Sequence, residues 1–200
     1  LDRLGGRVID TVKSFDLPIF MTPTDFWTVC PTAQLSLPDG TMCSGPQKNA
    51  GNCVKHLLSL QSKGKVDRII DHIPDLPWSG LTQIARHLNK EVAATVERPD
   101  WIKSRINQLD GILVPNHMMQ QLLTQNGINP ALMRLSRFGI NTASISDASS
   151  AKYRAKLSGQ PLRVGFIGTL APHKGCDVLI RAAQDVPADQ IELHVYGNPE

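Results

Sequence analysis

The chain has 200 residues, of which 41% are hydrophobic and 20% charged, with a formal net charge of +3. Such values belong to a globular protein long enough to bury a core. No apolar run approaches the roughly 18 residues of a membrane span. The opening LDRLGGRVID lacks a signal-peptide pattern, and the scattered Lys and Arg give no basic face for nucleic acid. The expected setting is cytoplasmic, with weak peripheral attraction to anionic lipid left open.

Leu4, Val8, Ile9, Val12 and Phe15 recur at helical spacing, and Leu17-Pro18 ends that helix before the apolar run Ile19-Phe20-Met21. The stretch Thr22 to Pro31 then sets two aromatics and a carboxylate at the carboxyl end of that strand, where open α/β sheets bind ligands. Each residue has a plainer reading: Asp25 as a turn cap, Phe26 and Trp27 as core.

From Cys30 to Cys53 the chain reads as loop, marked by Pro31, Pro38-Asp39-Gly40, Ser44-Gly45-Pro46 and Asn49 to Asn52. Cys30, Cys43, Cys53 and His56 form a C-x12-C-x9-C-x2-H pattern whose last spacing is one tetrahedral zinc sites use. A long loop of low apolar content would gain order from such a metal. The alternative is free or buried thiols in a reducing compartment, or a labile Cys pair. Cys176 lies far along the chain and reads as a packing residue.

Val54 to Leu60 reads as a short helix, Val66 to Ile73 as a charged, apolar-periodic segment, and Pro74 to Gly80 as a proline-rich break. Leu81, Ile84, Ala85, Leu88, Val92, Ala93 and Val96 predict an amphipathic helix that Arg98-Pro99 ends, with Asp100 capping another through Leu109. Gly111 to Pro115 is a short buried strand, Asn116 caps a helix through Leu123, and Gly127 fits its C-terminal cap. Leu132 to Phe138 reads as a strand closing on Gly139-Ile140-Asn141, and the Ser- and Ala-rich run from Thr142 to Gln160 as a linker.

The last segment carries the clearest chemistry. Leu162, Val164, Phe166 and Ile167 predict a parallel strand over 162–168, residues Asp177 to Ala183 a helix, and Ile191 to Tyr196 a second strand. The turn of this βαβ unit ends in His173-Lys174-Gly175, a cation and a flexible backbone where helix amides and dipole already favour an anion. A phosphate is the natural guest. Neither GxxxxGK[ST] nor a full GxGxxG is present, which argues against ATPase or dinucleotide chemistry. The chain starts with Leu rather than Met and stops at Glu200, just after Val195-Tyr196-Gly197-Asn198, so it reads as a piece of a longer polypeptide.

Three segments together resemble retaining glycosyltransferases of the GT-B fold, family four, also called glycosyl transferase group 1. Thr22 to Pro31, with Asp39-Gly40, Cys43 to Pro46 and Cys53, looks like their acceptor-side loop. Asp110 to Asn116 through Arg137 to Asn141 looks like the last αβ steps of their first domain, and Arg163 to Gly175 with Val195 to Gly197 like the opening of their nucleotide-sugar domain. The resemblance implies an α/β, GT-B type fold with two Rossmann-like domains, both incomplete here: residues 1–145 from the acceptor-side domain, 146–161 a linker, 162–200 the start of the donor domain.

It further implies transfer of a sugar, with retention, from a nucleoside diphosphate sugar held between the two domains to a glycan or lipid-linked acceptor, with no cofactor and no catalytic metal. Lys174 matches the family's diphosphate lysine, and Gly168 the glycine that lets the diphosphate approach the backbone; His173 and Gly175 join them. Thr169 stands where many members carry Arg, and Thr24 where many carry His before the matching acid, Asp25. The family's later Glu-x7-Glu motif would lie beyond Glu200, so residues 1–200 alone are expected to be inactive. The alternatives are a non-catalytic nucleotide-sugar binder, a zinc-ordered interaction protein, or an epimerase of the same fold.

Overall fold

A computed structural model describes residues 5–37, 39–62, 65–143 and 159–198. The chain is mixed α/β with parallel sheets, and it divides into two compact units, Leu1–Phe138 and Gly139–Glu200. The expected linker over 146–161 lies, but for residues 159–161, outside the described residues.

In the first unit, helix α1 (Arg7–Lys13) leads into β1 (Phe20–Met21), and the loop after it runs to a 3-10 turn at Lys48–Ala50. Four helices follow: α2 (Gly51–Gln61), α3 (Lys65–His72), α4 (Asp75–Ala85) and α5 (Lys90–Ile106). Then come β2 (Gly111–Val114), α6 (His117–Gln125) and β3 (Met133–Leu135). The three strands form a parallel sheet in the order β1-β2-β3, with Met21 opposite Ile112 and Ile112 opposite Met133. Ile112 and Val114 are fully buried in one apolar cluster with Ile9 of α1, Ile102 and Ile106 of α5, and Met119, Leu122 and Leu123 of α6. The run Gly111 to Pro115 therefore behaves as a strand covered by helices, as its unbroken apolar character suggests.

Local signals set most boundaries. Asn116 Oδ1 accepts the Met119 N–H at 2.8 Å, the cap expected for α6, and Gly127 at φ +85° follows the helix end. Asp110 Oδ2 accepts the Ile19 N–H and the Lys13 ammonium, each at 2.7 Å, joining α1 and β1 to the start of β2.

Three expectations are corrected. The proline-rich stretch Pro74 to Gly80 is not a break, because α4 starts at Asp75 with Pro77 in its first turn, where no amide hydrogen is needed. Nor does Arg98-Pro99 end a helix. The single helix expected over 81–96 is two: α4 stops at Ala85, Asn89 Oδ1 accepts from Glu91 and Val92 to start α5, and α5 continues through Pro99 to Ile106. An internal proline costs about 3 kcal/mol. Burial of Ile102 and Ile106, and the bond from Arg98 Nη2 to the Trp27 carbonyl, oppose that cost.

In the second unit, β4 (Leu162–Ile167) leads through α7 (Cys176–Gln184) to β5 (Ile191–Tyr196). The two strands pair in parallel from Leu162 opposite Ile191 to Ile167 opposite Tyr196, which makes the βαβ unit that the sequence predicts. Among the described residues no helix is long and apolar enough to cross a membrane.

Candidate functional site

In the second unit the chain leaves β4 at Gly168, passes a 3-10 turn at Pro172–Lys174 and enters α7 through Gly175. Gly175 has φ +72°, a conformation side chains strain to adopt, so glycine is the fitting residue at this helix entry. The Lys174 N–H donates to the Ala171 carbonyl at 2.9 Å and holds the turn closed. The side chains of Thr169, His173 and Lys174 are exposed, and Lys174 has no ion-pair partner among the described residues. Cys176 is buried behind them. Gly168, His173, Lys174 and Gly175 thus share one loop at the carboxyl end of a parallel strand.

The steric demand for glycine falls on a residue that sequence reasoning did not single out for that role. A Cβ on Gly168 would meet only the Phe166 ring at 3.6 Å, whereas one on Gly197 would collide with the Gly168 carbonyl oxygen. Gly197 permits β4 and β5 to end side by side, where the Gly168 N–H donates to the Tyr196 carbonyl at 3.0 Å.

In the first unit Thr24 and Asp25 are exposed and line a cavity of about 270 Å³ with Met21, Thr22, Trp27 and Ala33. It opens just after β1. Asp25 Oδ1 accepts the Trp27 N–H at 2.8 Å, so the turn-cap reading of Asp25 holds for that oxygen. Phe26 and Trp27 pack against the core, as their plainer reading has it.

Arg98 supports this loop from α5. Its guanidinium carbon lies 5.4 Å from the Trp27 ring centre, its Nη2 donates to the Trp27 carbonyl, and its Nη1 is buried with no hydrogen-bond partner among the described residues. Burial lowers its pKa below the usual arginine range, partly offset by the nearby Cys30 and Cys53. The sequence offered Arg98 only as a helix stop.

Cys30, Cys43, Cys53 and His56 all line one small cavity of about 20 Å³. All three cysteines are free. Cys30 Sγ shares a hydrogen bond with Thr32 Oγ1 at 3.1 Å, and Cys43 Sγ one with the Gly45 carbonyl at 3.6 Å. Cys43 Sγ also accepts from the Gly45 N–H at 3.4 Å and Asn52 Nδ2 at 3.8 Å. Burial, then Cys43 and Cys30, push the Cys53 thiol up to about 12, and burial holds His56 below the ordinary imidazole range. As they stand, no three His, Cys, Asp or Glu side chains among the described residues converge as a metal centre.

No protein-family model matches the chain, and neither the curated proteins nor the solved structures include a significant match. The site is therefore argued from its own residues. A cavity of about 410 Å³ beside the cysteines, with Asp39, Lys55, His56, Asp71 and Asp75 in its wall, was not foreseen; the loop from Leu37 to Gln47 and helices α2, α3 and α4 assemble it together. Lys55 Nζ and Asp75 Oδ1 pair there at 3.1 Å.

Proposed function

We propose that the chain is part of a retaining glycosyltransferase of the GT-B type, which takes a nucleoside diphosphate sugar as donor and a glycan or lipid-linked molecule as acceptor. The observation that carries this reading is the β4–α7 loop: an exposed lysine and a left-handed glycine at the entry of a helix, in a parallel βαβ unit. Breaking the anomeric bond leaves negative charge on the departing diphosphate. A fixed cation and helix amides aimed at that charge lower the barrier, because they bind it more strongly in the transition state than in the ground state. Lys174 supplies the cation, Gly175 the turn that points the helix N-terminus at the phosphates, and Gly168 a backbone edge without a side chain. His173 and Thr169 flank the same anion.

On the acceptor side, the cavity after β1 presents the Thr24 hydroxyl and the second oxygen of Asp25. A hydroxyl donates one hydrogen bond to a sugar, and the carboxylate accepts one from another hydroxyl. A non-catalytic nucleotide-sugar binder is the second reading. It is favoured by Thr24 and Thr169 and by the engagement of Asp25 Oδ1 with the Trp27 amide.

Both are tested by incubating the full-length protein with a panel of nucleoside diphosphate sugars and candidate glycan acceptors and following release of the nucleoside diphosphate. Release coupled to a new glycosidic bond supports the transferase. Saturable binding without release supports the binder, and absence of both rejects the shared site.

A further inference from the structure

The cysteine-rich loop of the first unit holds a set of donors that glycosyl transfer does not use. We propose that Cys30, Cys43, Cys53 and His56 bind one zinc ion, which ties the loop after β1 to helix α2. The four residues come from three places in the chain: the end of the turn that carries Trp27, the loop near Gly45, and the first turns of α2. The fold brings all four to the wall of one cavity of about 20 Å³, room for a single water-sized body. Three sulfurs and an imidazole are one of the sets that tetrahedral structural zinc sites use.

Two features outside the donor set point to the same ion. The Gly45 backbone N–H and Asn52 Nδ2 both donate toward Cys43 Sγ, the outer hydrogen bonds that steady a metal-bound thiolate. Second, zinc with three thiolates and a neutral imidazole carries a net charge of −1. Arg98, within electrostatic reach of Cys30 and Cys53 and with its buried Nη1 lacking a partner among the described residues, is the matching cation. The donors do not converge as they stand, and Cys30 and Cys43 make hydrogen bonds to Thr32 and Gly45. Binding exchanges those bonds for metal–sulfur bonds and releases three thiol protons.

The ion would act on the neighbouring cavity through the backbone. The Cys30 N–H donates to the Phe26 carbonyl at 2.7 Å, and Arg98 Nη2 to the Trp27 carbonyl, so the metal and its counter-ion grip both ends of the turn that follows Thr24 and Asp25.

The test is cobalt titration of the reduced, metal-stripped full-length protein under anaerobic conditions, with zinc content measured beside it on protein purified without chelator. The expected result is one zinc per chain, the intense visible bands of tetrahedral cobalt, sulfur-to-cobalt charge-transfer bands, release of about three protons, and loss of the spectrum on adding zinc. Cys43→Ser should weaken binding by at least tenfold, while Cys176→Ser should leave it unchanged. Zinc far below one per chain, an octahedral cobalt spectrum, or equal binding by Cys43→Ser would overturn the proposal. So would a disulfide between two of the three cysteines in protein kept under cytosol-like reducing conditions. The cobalt spectrum of the unmutated protein decides the matter even if Cys43→Ser does not fold.

Discussion

The strands β2 and β4, GILV and LRVGFI, are both apolar-rich and paired in parallel, and they are unlike in environment. Ile112 of β2 is 0% exposed, whereas Ile167 of β4 is 85% exposed. The difference lies in what covers them: α1, α5 and α6 send Ile9, Ile102, Ile106, Leu122 and Leu123 against the first sheet, and the second unit has α7 alone among its described helices. An unbroken apolar run marks a parallel strand, but burial is a property of its neighbours.

The largest effect should come from breaking the covered sheet. Ile112→Ala removes a fully buried side chain and is expected to cost about 3 kcal/mol, read as a lower denaturant midpoint at unchanged slope. Ile167→Ala in the same chain should stay within about 0.5 kcal/mol. A cost close to that of Ile112 would mean that β4 is covered after all.

Gly197→Ala sharpens the comparison from the other side. Its methyl would strike the Gly168 carbonyl, so β4 and β5 must part, at a cost of about 1–3 kcal/mol. Amide exchange should show faster opening confined to the second unit, leaving β1, β2 and β3 protected. Asn116→Ala should cost about 1 kcal/mol by removing the α6 cap, and the loss should appear in the first unit only.

The smallest effects are pH-dependent. The Lys13 ammonium and the Ile19 amide hold the Asp110 carboxyl below its usual range of about 3.8. The unfolded chain therefore takes up that proton first as pH falls, and the contribution of Asp110, complete above that range, is lost in acid. In the metal-free protein His56 has the same sign: with its pKa depressed by burial, its contribution is present above pH 6.5 and fades as pH drops below it. Asp110→Asn should flatten the acid limb of a plot of stability against pH while leaving the limb near 6.5 in place.

Much of this was legible in the sequence because the deciding forces are local. Asn116, Gly127 and the apolar runs at Gly111 to Pro115 and Leu162 to Ile167 mark caps and strands through their own side chains. The α4–α5 region was misread because Pro77 and Pro99 are judged by position: the first is harmless in a first turn, and packing around Ile102 outweighs the second. The βα turn that carries Gly168, His173, Lys174 and Gly175 was legible because the apolar run before it and the helical spacing after it are local signals. Arg98, Gly197 and the Lys55–Asp75 cavity were not, since each depends on partners distant in the chain: Trp27, Gly168 and three packed helices.

The central claim is that the loop from Gly168 to Gly175 holds the donor's diphosphate. Steady-state sugar transfer by the full-length protein and by Lys174→Ala tests it most directly. A fall of about a hundredfold in kcat/KM, the loss of one preorganised contact to developing charge, with the thermal midpoint unchanged, is the expected result. Equal rates for the two proteins would contradict the account.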